Sequence, residues 1–277
     1  PKRVMMKKSV IFSIVFVIAS VTAAFAQGTT IVRKELPPAE ITRIIKKVSE
    51  NESAFREALK DYVFIRRASL SNIGLGGQIT GTYRRDSFMT FNSDGGRFEK
   101  ILFAPISTLT EMSVTPEDLE DLGGVNPFAL EPYAIPQYNF NYLGIERIDD
   151  FDLYVFDVAP KVIPDPKKSK QRMFVGRIWV DVQDLMILKS RGKAVPETKQ
   201  NKFPIVETTR EQIDGKYWFP VDARSDDDLV FDNGQVVKLR MRVKYSDYKV
   251  GRTDVKILDD VADPEVKPTP SPTPKKP

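Results

Sequence analysis

Any chemistry in this chain has to be done without histidine or cysteine, because neither occurs among its 277 residues. A Ser-His-Asp triad, a Cys-His dyad, a histidine- or thiolate-bound metal and a redox disulfide are thereby excluded. Carboxylates, lysines and tyrosines remain. Asp226, Asp227 and Asp228, followed by Asp232, invite a calcium reading, but the spacing lacks the glycine and terminal glutamate of an EF-hand loop. A solvated turn is the expectation there. Acids numerous enough for glycoside chemistry exist by composition alone, without a signature pair. No glycine-rich loop leads from a strand into a helix to cradle phosphate. The residue types point to binding, and no enzyme activity, metal or cofactor is expected.

Two patterns are suited to binding. Val237, Leu239, Met241, Val243 and Tyr245 alternate with Lys238, Arg240, Arg242 and Lys244. Such a strand has one apolar face and one face with four positive charges, a stripe suited to anionic head groups or an acidic partner. The alternative is a solvated strand whose cations prevent edge-to-edge pairing, balanced across the sheet by acids such as Asp222. The second pattern is aromatic: 17 Phe, 9 Tyr and 2 Trp, many of them on predicted strands. They form ordinary core if the sheet packs tightly, or line an apolar cavity if it curls around a ligand. Tyr142, Phe174 and Trp179 are the candidates for a ligand cavity, because they fall on central strands.

The elements that position these residues lie between two unlike ends. Residues 1–26 read as a signal peptide: Lys7 and Lys8, an uncharged run over 9–24, and Ala24-Phe25-Ala26 as a cleavage site before Gln27. The run is shorter than a bilayer span. Four of the 42 basic residues (Lys2, Arg3, Lys7 and Lys8) precede Gln27, which leaves 38 against 38 acids. The formal charge of +4 is therefore part of an address, and a nucleic-acid partner is not expected. Residues 262–277, with six prolines and no aromatic, predict a disordered Pro-rich tail.

Residues 27–261 read as one domain. Pro37-Pro38 opens an amphipathic helix with Ile41, Ile44, Ile45 and Val48 at helical spacing, then Phe55, Leu59 and Tyr62. Asn51-Glu52-Ser53 is a candidate break into two helices. Thr115-Pro116, followed by acids, predicts another helix start. Period-two patterning predicts strands from Tyr62, over 78–91, 97–104, 138–148, 151–159, 171–182, 185–193, 203–213, 216–224 and 236–248. Asp214-Gly215 and Asp232-Asn233-Gly234 are hairpin turns. The order implies a mainly β (α+β) fold: a strongly curved antiparallel sheet forming a half-open β-barrel, with two or three helices over its concave face.

The stretch over 142–161, YLGIERIDDFDLYVFDVAPK, resembles a hairpin of the LolA/LolB-like superfamily. Ile178-Trp179-Val180-Asp181 with the strand that follows, and the pair over 203–221, are similar to later hairpins of the same group. That superfamily holds periplasmic lipoprotein carriers, outer-membrane lipoprotein-sorting proteins and the lipid-binding domain of an envelope-stress sensor. The resemblance covers roughly residues 38–250 and rests on apolar positions and turns. It implies a periplasmic protein that binds a lipid, a lipoprotein acyl chain or another apolar ligand in an open barrel, in a carrier or sorting role. The alternative is an envelope interaction or stress-sensor protein with the same fold and a filled cavity. The expected partners are a lipid or lipidated protein, with an envelope protein as a further possibility, and no transmembrane span after signal cleavage.

Overall fold

The computed structural model describes residues 30–91, 96–115, 118, 132–169 and 171–251. The predicted signal peptide and Pro-rich tail lie outside these residues.

The chain enters as a helix, α1 (Pro38–Leu59), with Pro at its first position, where a missing N–H costs nothing. Ile44, Val48, Glu52, Phe55 and Leu59 recur every three or four residues and form its buried stripe. The break expected at Asn51-Glu52-Ser53 does not occur. Asn51 and Glu52 cap nothing, because partners on the β6–β7 turn and on the sheet take them up. The Asn51 side-chain amide donates to the carbonyls of Asp184 and Leu185, both at 2.9 Å, and Glu52 meets Arg210. Among the described residues α1 is the one α-helix described in full, and Asp118 also has helical backbone; two or three helices are not shown. Of the helix start expected near 115–120, only Thr115 and Asp118 are described. Each donates its backbone N–H to the other's side chain, at 3.0 and 3.1 Å, as a capping box does.

Ten strands follow among the described residues: β1 (Tyr62–Ile73), β2 (Ile79–Phe91), β3 (Arg97–Phe103), β4 (Tyr138–Ile148), β5 (Phe151–Pro160), β6 (Met173–Asp181), β7 (Ile187–Val195), β8 (Val206–Ile213), β9 (Tyr217–Val230) and β10 (Val236–Val250). A short 3₁₀ turn, Ile135–Gln137, leads into β4. All ten strands pair antiparallel in one sheet, in the order β3-β2-β1-β10-β9-β8-β7-β6-β5-β4. Among the described residues the sheet is not closed, since β3 and β4 are its two edges. The β8–β9 turn has three residues, 214–216, one more than a two-residue hairpin, and its Asp214 and Gly215 both have positive φ (54° and 67°). At Gly144, in a bulge of β4, a Cβ would collide with the Val32 carbonyl, so glycine lets residue 32 bridge to Ile145.

Successive side chains of a strand point to opposite faces, and α1 takes one face. Its N-terminal half packs Ile44 and Val48 on Tyr154, Phe156, Val158, Phe174 and Ile178. Its C-terminal half packs Phe55, Ala58 and Leu59 on Tyr62, Phe64, Phe219, Val243 and Tyr245. The other face carries a separate cluster of Leu153, Val155, Trp179, Leu188 and Trp218.

Asp226, Asp227 and Asp228 correct the expected turn. They lie within β9, opposite Arg240, Leu239 and Lys238 of β10.

Candidate functional site

The basic stripe lies on β10, which sits between β1 and β9 in the interior of the sheet. Protection of an edge is therefore not its role. Asp226 accepts a hydrogen bond from Arg240 Nε at 2.7 Å and another from Arg242 at 2.6 Å. These bonds, Arg242's first, hold the Asp226 carboxyl below its usual range. Lys238 lies 3.6 Å from Asp228. Lys244 has no ion pair among the described residues. The neighbouring strands add a second network: Glu207 of β8 meets Arg224 at 2.6 Å and Lys189 at 3.1 Å. Acids of β9 thus occupy three of the four cations that the sequence singled out.

The three cavity candidates divide between the faces. Tyr142 and Phe174 share the helix-bearing face and belong to one cluster. Phe174 is buried, its ring over Gly176 and Gly192, where any Cβ would strike it. Tyr142 is half-buried and lies 5.3 Å from Phe156 and 6.1 Å from Tyr154, ring centre to ring centre. Its hydroxyl is buried without a hydrogen-bond partner, and burial raises its pKa. Trp179 points to the other face. Its Nε1 donates to Glu146 at 2.6 Å, and the Lys189 ammonium sits 4.9 Å from the ring centre.

Beside Tyr142 the helix-bearing face is only partly covered. Leu36, Ile41 and Ile45 on the helix side, and Tyr138, Phe140 and Tyr142 on β4, are all half-buried. They form an apolar seam between the N-terminal half of α1 and an edge strand. The opposite face holds an open groove of about 690 Å³, lined by Asn139, Asn141, Arg177, Trp179, Arg191 and Glu207 among others. Two of its walls are held by Arg177–Asp157 at 2.7 Å and Lys189–Glu207.

Sequence reasoning missed the most deeply buried polar contact, Glu52 with Arg210. Arg210 donates to the two carboxylate oxygens at 2.6 and 3.0 Å, with Glu52 fully buried, and its guanidinium lies 4.6 Å from the Phe55 ring centre. The signal was present: Glu52 stands four residues after Val48 and three before Phe55, on the apolar stripe. It missed as well the cluster in which Glu99 meets Arg66 at 2.8 Å and Arg85 at 2.9 Å, and accepts from Ser87. Burial pushes the Glu99 carboxyl up, but the bonds from Arg85 and Ser87 and the charge of Arg66 outweigh it, and it falls to about 2.

Among the described residues no helix is long and apolar enough to cross a membrane, and no three acids are grouped to hold a metal ion. No family model matches this chain, and no curated protein matches it. Solved structures similar to it include the following two. One is a DUF1329 family protein from Desulfovibrio piger ATCC 29098, at 14% identity and a TM-score of 0.38, over 76% of this chain and 94% of that one. The other is MucB, at 13% identity and a TM-score of 0.27, over 81% of this chain and 64% of that one. At these values neither likeness assigns a function, and the open antiparallel sheet with one helix on its face stands on the strand pairing described above.

Proposed function

We propose that the protein is an exported, non-enzymatic binding protein of the cell envelope. It holds an apolar ligand, a lipid or the acyl chain of a lipidated protein, against the helix-bearing face of its sheet. The half-covered seam between α1 and β4 carries this reading. Leu36, Ile41, Ile45, Tyr138 and Phe140 offer apolar surface at an edge, and the Tyr142 hydroxyl is buried among them without a partner. An acyl chain gains about 0.8 kcal/mol for each methylene it buries. A carbonyl or head-group oxygen would relieve the hydroxyl, which costs about 1–3 kcal/mol when left unpaired. Movement of the N-terminal half of α1 would release the ligand. The resemblance of residues 142–161 to the lipoprotein carriers agrees, as does a composition without histidine or cysteine.

A second reading is an envelope interaction or sensor protein with a filled interior. It draws on the other half of the same face, where the rings of Phe55, Tyr62, Phe64, Phe219 and Tyr248 pack together, stacked, tilted or edge-on, at 4.7–5.6 Å between centres. Native mass spectrometry of the gently purified protein, with titration of a fluorescent fatty acid, separates the two. Carriage predicts co-purified lipid, binding abolished by Ile45→Asp, and binding weakened severalfold by Tyr142→Phe. An empty protein that also rejects the fatty acid leaves the second reading.

A further inference from the structure

An antiparallel sheet sends alternate connections to opposite rims, and here the two rims differ in chemistry. One rim gathers the β1–β2 turn (74–78), the β9–β10 turn (231–235), the β7–β8 loop (196–205) and the β5–β6 loop (161–172), adjacent in that order along the sheet. They are tied together. Lys202 of the β7–β8 loop meets Asp232 of the β9–β10 turn at 2.9 Å, and the Arg172 guanidinium lies 4.8 Å from the Phe203 ring centre. The opposite rim carries the β4–β5, β6–β7 and β8–β9 turns and the link from α1 to β1.

Large apolar side chains stand out from the first rim. Leu75 is fully exposed, and Ile79, Val162, Ile163, Ile205, Val230 and Val236 are 37–77% exposed. The opposite rim has Phe151 and Val250. Charge divides the same way. Among the described residues, the connections of the first rim hold six bases (Lys161, Lys167, Lys168, Arg172, Lys199, Lys202) and three acids (Asp165, Glu197, Asp232). Those of the opposite rim hold five acids (Asp61, Asp149, Asp150, Asp184, Asp214) and two bases (Lys60, Lys216). Lys161 and Lys167, next to exposed Val162 and Ile163 or five residues on, make no ion pair among the described residues. Residues 68–83, which contain the tip with Leu75, include no charge at all.

We infer that this rim docks on an anionic lipid surface. Apolar side chains on hairpin tips enter the head-group layer, and the lysines around them meet lipid phosphates, the combination by which peripheral proteins hold to membranes. The acidic opposite rim is repelled by the same surface and so fixes the orientation of the sheet. The inference is independent of the ligand seam: a protein that carries no lipid could still dock by this rim.

The test uses the chain from residue 27 onward, which contains every described residue, floated with vesicles of phosphatidylcholine alone or mixed with phosphatidylglycerol. Binding is expected only to the anionic vesicles, and it should weaken as salt rises. Leu75→Ser with Ile79→Ser, and separately Lys161→Glu with Lys167→Glu, should each lower the partition on the order of tenfold. Lys60→Glu with Lys216→Glu removes the same charge from the opposite rim and should leave binding unchanged. No binding to anionic vesicles, or equal loss from the Lys60/Lys216 variant, overturns the inference. So does self-association that the Leu75/Ile79 variant abolishes while vesicle binding stays the same.

Discussion

Glu99 shows how one carboxylate can order the edge of a sheet. It sits on β3, yet it receives Arg66 from β1 and both Arg85 and Ser87 from β2, so three strands meet at its two oxygens. Its carboxyl is held at about 2 in the folded protein, against an ordinary 4.5. A folded value below the unfolded one means stability that is fully present above pH 4.5 and fades as pH falls toward 2. The shift corresponds to something on the order of 3 kcal/mol. Glu99→Gln should therefore lower the urea midpoint at neutral pH and flatten its dependence on pH in the acid range, while leaving the region above pH 5 flat. Equal acid slopes for both proteins would show that other groups set the acid limit.

At the scale of elements, the packing of α1 on the sheet depends on a buried pair. Glu52 and Arg210 are both buried and joined by two hydrogen bonds. Removing one partner of such a pair strands a charge, at about 3–5 kcal/mol, whereas replacing both by apolar groups of similar size is far milder. Glu52→Gln should thus destabilise strongly, and Glu52→Leu with Arg210→Met should recover most of the loss in chemical denaturation. A double variant as weak as the single one would mean that the pair is needed for docking itself. Much at this scale was legible in the sequence. The helix start at Pro38, the hairpin at Asp214-Gly215 and the apolar alternation of β10 all stand where period and turn chemistry put them. Two segments were not, for one shared reason. Asn51-Glu52-Ser53 has the composition of a break, and Asp226-Asp227-Asp228 that of a turn, because polar residues usually seek local or solvent partners. Here their partners come from distant chain: Arg210 for the helix, Arg240 and Arg242 for the strand.

For the whole molecule, the assignment of faces was the hardest thing to read. Tyr142 and Phe174 fall together, but Trp179 falls on the other side, because β6 is apolar in both parities: Phe174, Ile178 and Val180 meet α1, while Trp179 joins Leu153 and Val155. Alternation cannot orient a strand that is buried on both faces. The consecutive antiparallel pairing expected from the hairpins holds, but its one long-range join was beyond the sequence. Adjacent strands in the chain are neighbours in the sheet except β3 and β4, which become its two edges, and one seam joins strands distant in the chain: β1 pairs with β10 from Tyr62↔Val250 to Asn72↔Leu239. Ending the chain before Val236 should leave β1–β3 and β4–β9 as two pieces, each with a bare edge, and abolish a single cooperative unfolding transition. A sharp transition in that fragment would show that the pieces join without β10.

That seam also sets the timing of folding. Strands far apart in the chain, β1 and β10, lie side by side inside the sheet, and the arginine that neutralises Glu52 arrives 158 residues after it. Long-range pairing of this kind is slow to form, because no part of it is rewarded until the distant partner is present. A chain synthesised or threaded from its N-terminus therefore stays unfinished until β10 is free, with the C-terminal half of α1 waiting for a floor whose β9 and β10 arrive late.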